Sequence, residues 1–369
     1  MRYVTKNSLF FFFAVATFYG VVSGCSQIKR NTPVLTAPEA ETEQAPPPAA
    51  VVPPKYLYIA SGLCYGGDAT ANAVSAGSNT ITRYNLNSGS FDSVVFDYNA
   101  LGSGDQPASI LDHGADELLV LIENTGSRRV DRLDKKTGEI QNYLTNSNLA
   151  AVMRHLTQLA DGSFLISKSS AIEKFNENKS RITSGASPFI NAPAGQCATS
   201  TTLISGVTEL PSGFIAYTHA STTPKNRWGV IKSTGYASAV DCLSGITMAT
   251  TTALPTALIA ADGTNDVLVA SGSSTSASNF IYSYQVDPTT GLISNPNPAF
   301  TDFSYISAPS AMIQDTSTGD IYVASARAYL NSIEKMSYDS TTRTLTRVSP
   351  TFIGNSIYTR CVSGMAIGN

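Results

Sequence analysis

The chain has 369 residues, with 24 basic and 27 acidic side chains, a formal net charge of −3 and only 14% charged residues. So sparse and slightly acidic a balance excludes a nucleic-acid binder, which needs a basic stripe to meet phosphate. Frequent Gly, Ser, Thr, Asn and Tyr, without long helical periodicity, describe an all-β protein of the exported kind.

Residues 1–24 begin with Arg2 and Lys6 and continue into an apolar run from Leu9 to Val22 that includes Phe10 to Phe13. That layout is a secretory signal, too short for a comfortable membrane span. Its last residues, Val22-Ser23-Gly24-Cys25, resemble the lipobox of bacterial lipoproteins. The resemblance implies that the Cys25 thiol takes a diacylglycerol, that the chain is cut before it, and that the new amine is acylated. Two or more acyl chains make such anchoring stable, where one is marginal. Removing the leader takes away two cations and no acids, so 22 basic residues face 27 acidic ones, a net charge of −5.

Residues 25–54 follow as a tether carrying Pro33, Pro38, Pro46, Pro47, Pro48, Pro53 and Pro54. Such a composition buries no core and is expected to be disordered, with polyproline II stretches. In proteobacterial lipoproteins an Asp directly after the lipidated cysteine retains the protein in the inner membrane. Here that residue is Ser26, so the resemblance implies a cell-envelope protein anchored in the outer membrane.

From Lys55 onward short β patterns alternate with Gly/Asn/Asp turns. The recurring unit is an apolar strand, a tight turn and a strongly apolar second strand. It runs through Ser109–Ile122, Leu156–Ser167, Val207–Tyr217, Ala257–Ala270 and Ser310–Ala324, with a period of about fifty residues. A weaker hairpin follows, turning at Gly89, Gly138 and Gly291, and at Asp339–Thr342 in the last copy. Four strands per fifty residues, repeated, predict a β-propeller over residues 55–369.

The final Val362–Asn369 matches a first strand with no successor, and Tyr56–Ser61 matches a second strand with no predecessor. Joined, they make the missing copy and close the ring, so six blades are expected. A seventh would have to lie within 176–206 or 232–255. The hairpin Tyr284-Gln285-Val286-Asp287-Pro288-Thr289-Thr290-Gly291-Leu292 resembles the repeat hairpin of YVTN and lactonase-like propellers. The resemblance implies the fold and carries over no site residue; those relatives usually have seven blades.

Four cysteines besides Cys25 (Cys64, Cys197, Cys242 and Cys361) suggest two disulfides in an oxidising compartment. Antiparallel closure sets Cys361 opposite residues just past Ser61. Cys64–Cys361 is therefore the expected pair, which leaves Cys197 with Cys242.

No cysteine or histidine cluster has metal-ligand spacing, and no G-x-S-x-G elbow is present. No metal or other cofactor is expected. Ser332 and Lys335 match S-x-x-K, but on a strand those positions face opposite sides. The tight turns lie on one face of a propeller and the long connections on the other, where function tends to live. Residues assigned to that long-loop face are Tyr65, Asp68, Glu123, Arg154, Lys168, His219, Arg227, Trp228, Arg327, Tyr329 and Arg360. Trp228 and Tyr329 are the expected aromatic anchors. The expected function is a lipid-anchored binding or scaffold module, monomeric as a domain, with a protein or glycan partner and no catalytic residues. The alternative is an envelope hydrolase or lactonase with its site at the channel mouth.

Overall fold

The computed structural model describes residues 53–63, 76–124, 126–145, 149, 152–168, 171–182, 190–191, 204–222, 225–232, 254–261, 263–272, 279–302, 304–306, 308–325, 331–348, 352–354 and 356–369. Strands dominate them, with no α-helix among the described residues. They make six antiparallel sheets. β1 (Tyr56–Leu63), β2 (Ala76–Asn85) and β3 (Ser90–Asp97) form one blade with the last strand, β24 (Val362–Gly368). The next blade is β4 (Gln106–Asp112), β5 (Glu117–Glu123), β6 (Arg129–Asp134) and β7 (Ile140–Leu144). Then come β8 (Met153–Gln158), β9 (Phe164–Lys168), β10 (Ala171–Phe175) and β11 (Arg181–Ile182), with β12 (Ile190–Asn191) also on β10. β13 (Val207–Glu209), β14 (Phe214–Thr222) and β15 (Lys225–Lys232) form the fourth blade. The fifth is β16 (Leu254–Ala260), β17 (Asp266–Gly272), β18 (Phe280–Val286) and β19 (Ile293–Phe300). The sixth is β20 (Pro309–Gln314), β21 (Ile321–Ser325), β22 (Ile333–Asp339) and β23 (Thr344–Arg347). The chain is a six-bladed β-propeller.

The closing blade has the expected register. β24 runs antiparallel to β1, with Ile367 opposite Leu57 and Val362 opposite Ser61. Closure turns β1 from a sheet edge into an internal strand with ladders on both sides.

Second strands read as continuous apolar runs because both of their faces are covered. Every residue of β17 and β21 is buried, whereas the outer strand β3 is largely exposed. The buried side chains form six clusters, each spanning one interface between neighbouring blades. No blade buries its own faces. Each borrows half its core from either side, as repeat architectures do.

The outer hairpins share one turn chemistry. The side-chain oxygen of Asn85, Asp134, Asp287 or Asp339 accepts the backbone amides two and three residues on, at 2.7–3.3 Å. The fifth residue takes a left-handed backbone, which glycine adopts without strain: Gly89, Gly138 and Gly291 have φ of 67°, 72° and 74°. The last copy keeps that backbone with Arg343, at φ 55°, which is why its glycine is absent from the sequence pattern.

The inner strands carry a second repeated device. β24, β4, β8, β13, β16 and β20 touch in that cyclic order around the axis. Five of them shift register by one residue near their starts, at Ala108, Arg154, Thr256, Ser310 and Ser363. Hydroxyls beside these bulges reach across to the next blade. Ser205 donates to the carbonyl of Pro255, Thr256 to that of Pro309, and Ser363 to that of Pro107. These bonds form a belt that ties successive inner strands together at the level of the bulges.

Candidate functional site

Two concavities among the described residues bring together side chains from several blades. The larger, about 820 Å3, opens on the tight-turn face. Its walls are the β4–β5 turn at Asp112, Gly114 and Ala115, the β20–β21 turn from Gln314 to Asp320, and Leu86 and Asn87 between β2 and β3. Lys55, just before β1, and Gly368 and Asn369, just after β24, complete the rim. The ring therefore closes at the edge of this cleft.

Its charges are compensated locally. Lys55 Nζ lies 2.5 Å from Asp315 Oδ1, Lys335 Nζ 2.8 Å from Asp320 Oδ2, and Lys135 Nζ 2.6 Å from Asp112 Oδ1. Burial is the largest single influence on the Asp315 carboxyl and raises it, but the bonds from Lys55 and Ser317 together outweigh it and hold the carboxyl below its usual range. What remains to meet a ligand is amide, hydroxyl and backbone, together with the apolar Leu86, Ile313, Tyr322 and Ile367. The volume lies within the range of small-ligand sites.

The smaller cavity, about 50 Å3, sits on the axis at the level of the bulges. Ser109, Arg154, Ser205, Thr256, Ser310 and Ser363 line it, one from each inner strand or its leading residue. His155 lines it as well. Burial pulls His155 down to about 4, so the imidazole is neutral at pH 7, and lowers Arg154 to about 9.

The long-loop face is only partly described. Tyr65, Asp68, Arg327 and Tyr329 lie outside the described residues, as do Cys25, Cys64, Cys197 and Cys242. For His219 and Arg227 the backbone alone is described. They pair with each other in a β14–β15 hairpin that continues to Thr222 and Lys225, so a strand extension replaces the expected long loop.

Four of the other five candidates are not solvent-facing contacts. Trp228 is 2% exposed and packs 4.9 Å from the Tyr284 ring, in the cluster between the fourth and fifth blades. Strand alternation points it and Val230 into that interface, so it is a core residue and not an anchor. Glu123 is buried, ion-paired with Arg128 at 2.8 Å, and accepts the Met153 amide at 2.9 Å. Lys168 belongs to an ion cluster with Glu173, at 2.5 Å. Arg154 projects into the axial channel. Arg360 alone of these is exposed. Ionic groups at the ends of second strands read in sequence as loop chemistry, but here they tie adjacent strands together.

Gly62 donates its amide to the Cys361 carbonyl at 3.2 Å, and Ser61 Oγ donates to the carbonyl of Arg360. Cys361 is 1% exposed and disulfide-bonded, and its partner lies outside the described residues. The register places the residues just past Gly62 beside it, and we propose Cys64 as that partner. Non-reducing peptide mapping should recover Cys64 linked to Cys361. A Cys361 peptide joined to Cys197 or Cys242 would refute the pairing.

No family model matches the chain, and no curated protein matches it. Solved structures do. One from a nidogen/laminin complex aligns with a TM-score of 0.56 and 10% identity, covering 85% of this chain and 98% of that one. A Bacteroides caccae protein of unknown function gives 0.53 and 14%, covering 86% and 100%. A candidate 6-phosphogluconolactonase from Bacteroides fragilis gives 0.52 and 11%, covering 88% and 100%. At these identities the likeness is one of fold, and it includes the lactonase-like propellers.

Proposed function

We propose that this propeller is an exported, lipid-anchored binding module of the bacterial cell envelope, and that its ligand site is the tight-turn cleft. The 820 Å3 cleft carries the reading. Its charged groups neutralise one another in pairs, which leaves a lining of hydroxyls, amides and carbonyls interleaved with the apolar Leu86, Ile313, Tyr322 and Ile367. That chemistry suits a neutral, polyhydroxylated ligand such as an envelope glycan better than a charged metabolite.

The lipobox-like Val22–Cys25, the Pro-rich tether and Ser26 support an outer-membrane anchor, and a disulfide at Cys361 fits an oxidising compartment. Among the described residues no helix is long and apolar enough to cross a membrane. A hydrolase reading finds less support: among the described residues the axial channel offers hydroxyls, a guanidinium and the single imidazole of His155, not a set of carboxylates or imidazoles suited to a divalent metal.

Calorimetric titration of the mature protein with peptidoglycan fragments and envelope polysaccharides tests the proposal. Ala115→Trp with Thr316→Trp, which fill the cleft from opposite walls, should remove binding, whereas Arg360→Ala on the other face should leave it intact. The reverse pattern would move the site to the long-loop face. Turnover of an ester or lactone panel, lost with the same cleft-filling pair, would replace a binding module by an enzyme. Binding of envelope proteins but of no glycan would refute the ligand class.

A further inference from the structure

The lining of the tight-turn cleft has an aliphatic part and a polar part. Leu86, Ile313 and Ile367 line it, and each packs, partly buried, against the apolar cluster shared by the first and sixth blades. Their uncovered sides give the cleft an aliphatic floor where the ring closes. Tyr322 is the one aromatic among the described lining residues and is 2% exposed, so it offers no ring face for a sugar to stack on.

Around that floor the hydroxyl protons of the β20–β21 turn are committed. Ser317 Oγ donates to Asp315 Oδ1 and Thr318 Oγ1 to Asp320 Oδ2, both at 2.8 Å. Asn87 is different. It follows Leu86 in the chain, lines the same cleft and is exposed. Its Oδ1 accepts the Lys55 backbone amide at 2.8 Å, which orients the side chain, and its Nδ2 makes no hydrogen bond among the described residues. An oriented N–H donor and an aliphatic surface therefore meet in one cleft.

We infer that the cleft selects glycans carrying an acetamido group, with an N-acetylhexosamine as the unit recognised, an inference that rests on the tight-turn cleft being the ligand site. The acetyl methyl covers Leu86, Ile313 and Ile367, and the acetyl carbonyl accepts the Asn87 Nδ2 proton. A plain hexose sets a hydroxyl over the same aliphatic floor, where it loses water without gaining a partner. A free amino sugar brings a cation to a cleft in which Asp112, Asp315 and Asp320 each already has a lysine.

Calorimetric titration with three trisaccharides of one backbone and linkage tests this: triacetylchitotriose, its deacetylated form and cellotriose, which differ only in the group on the second carbon. The acetylated sugar should bind at least about tenfold more tightly than either other, from one methyl buried and one hydrogen bond gained. Leu86→Ser, at a half-buried position, should erase that preference. Asn87→Asp, on the exposed rim, should weaken the acetylated sugar alone, because it keeps the acceptor for Lys55 and removes the donor. Equal affinity for the acetylated sugar and cellotriose, lost with Ala115→Trp plus Thr316→Trp, overturns the acetamido reading and leaves the cleft as the glycan site. A preference for the acetylated sugar that survives the cleft-filling pair overturns both. Absence of binding by the acetylated sugar overturns the acetamido reading, whatever other glycan the cleft takes.

Discussion

Deleting Val362–Asn369 should abolish cooperative folding. The deletion strips β1 of one of its two ladders, from Tyr56 to Ser61, and exposes it as a naked edge. It also removes Val362 and Met365 from the cluster facing the sixth blade and Ala366 from the cluster facing the β4–β7 blade. The belt loses the bond from Ser363 to Pro107. Two fully buried large apolar side chains alone contribute about 3–6 kcal/mol. That rivals the whole stability of an ordinary domain, about 5–15 kcal/mol. Circular dichroism melts with size-exclusion chromatography give the reading: aggregation, or a broad transition far below that of the full chain. A monomer melting sharply within a few degrees of full length would mean that the ring does not depend on its closing strand.

Glu173→Gln is the point substitution with the largest expected cost. Glu173 is fully buried on β10 and receives Arg181 through two bonds, of 2.5 and 2.9 Å, and Lys168 at 2.5 Å. A neutral amide of the same shape takes from two largely buried cations the carboxylate they share. Breaking such a pair costs about 3–5 kcal/mol. Urea denaturation should show that loss, whereas Lys136→Ala, which breaks the exposed pair with Asp116, should leave the midpoint nearly unchanged because water screens that pair. Replacing Glu173 by Leu together with Lys168→Met and Arg181→Met should recover most of the loss, because an apolar trio no longer carries a desolvated charge. Equal effects for the buried and exposed pairs would show that the Glu173 cluster is open to water.

The blade count and the closing register were legible in sequence for a physical reason. A second strand covered on both faces must be apolar throughout, as β5, β17 and β21 are, and a hairpin needing a left-handed fifth residue advertises itself by glycine. The site was less legible. Trp228 beside Arg227 reads as an exposed recognition pair, yet strand alternation turns the indole into the interface with Tyr284. Glu123 and Lys168 read as loop-face chemistry, but their partners Arg128 and Glu173 lie five residues on, at the far side of a turn. The inner-strand bulge left a signal that composition does not flag. A proline followed by a small or hydroxyl residue opens three inner strands, at Pro107-Ala108, Pro255-Thr256 and Pro309-Ser310. Only the ring geometry shows that these dipeptides meet around one axis.

The position of the first strand also settles how the molecule bears mechanical load. A pull on the residues preceding Lys55 acts along β1, which is hydrogen-bonded to β24 on one side and β2 on the other. Force applied at the tight-turn end and resisted by the rest of the ring stresses both ladders lengthwise, so the bonds share the load instead of opening one after another. Had β1 been an outer strand like β3, one ladder instead of two would carry the same pull. A domain held at its N-terminus is thus gripped by the strand best placed to resist extraction.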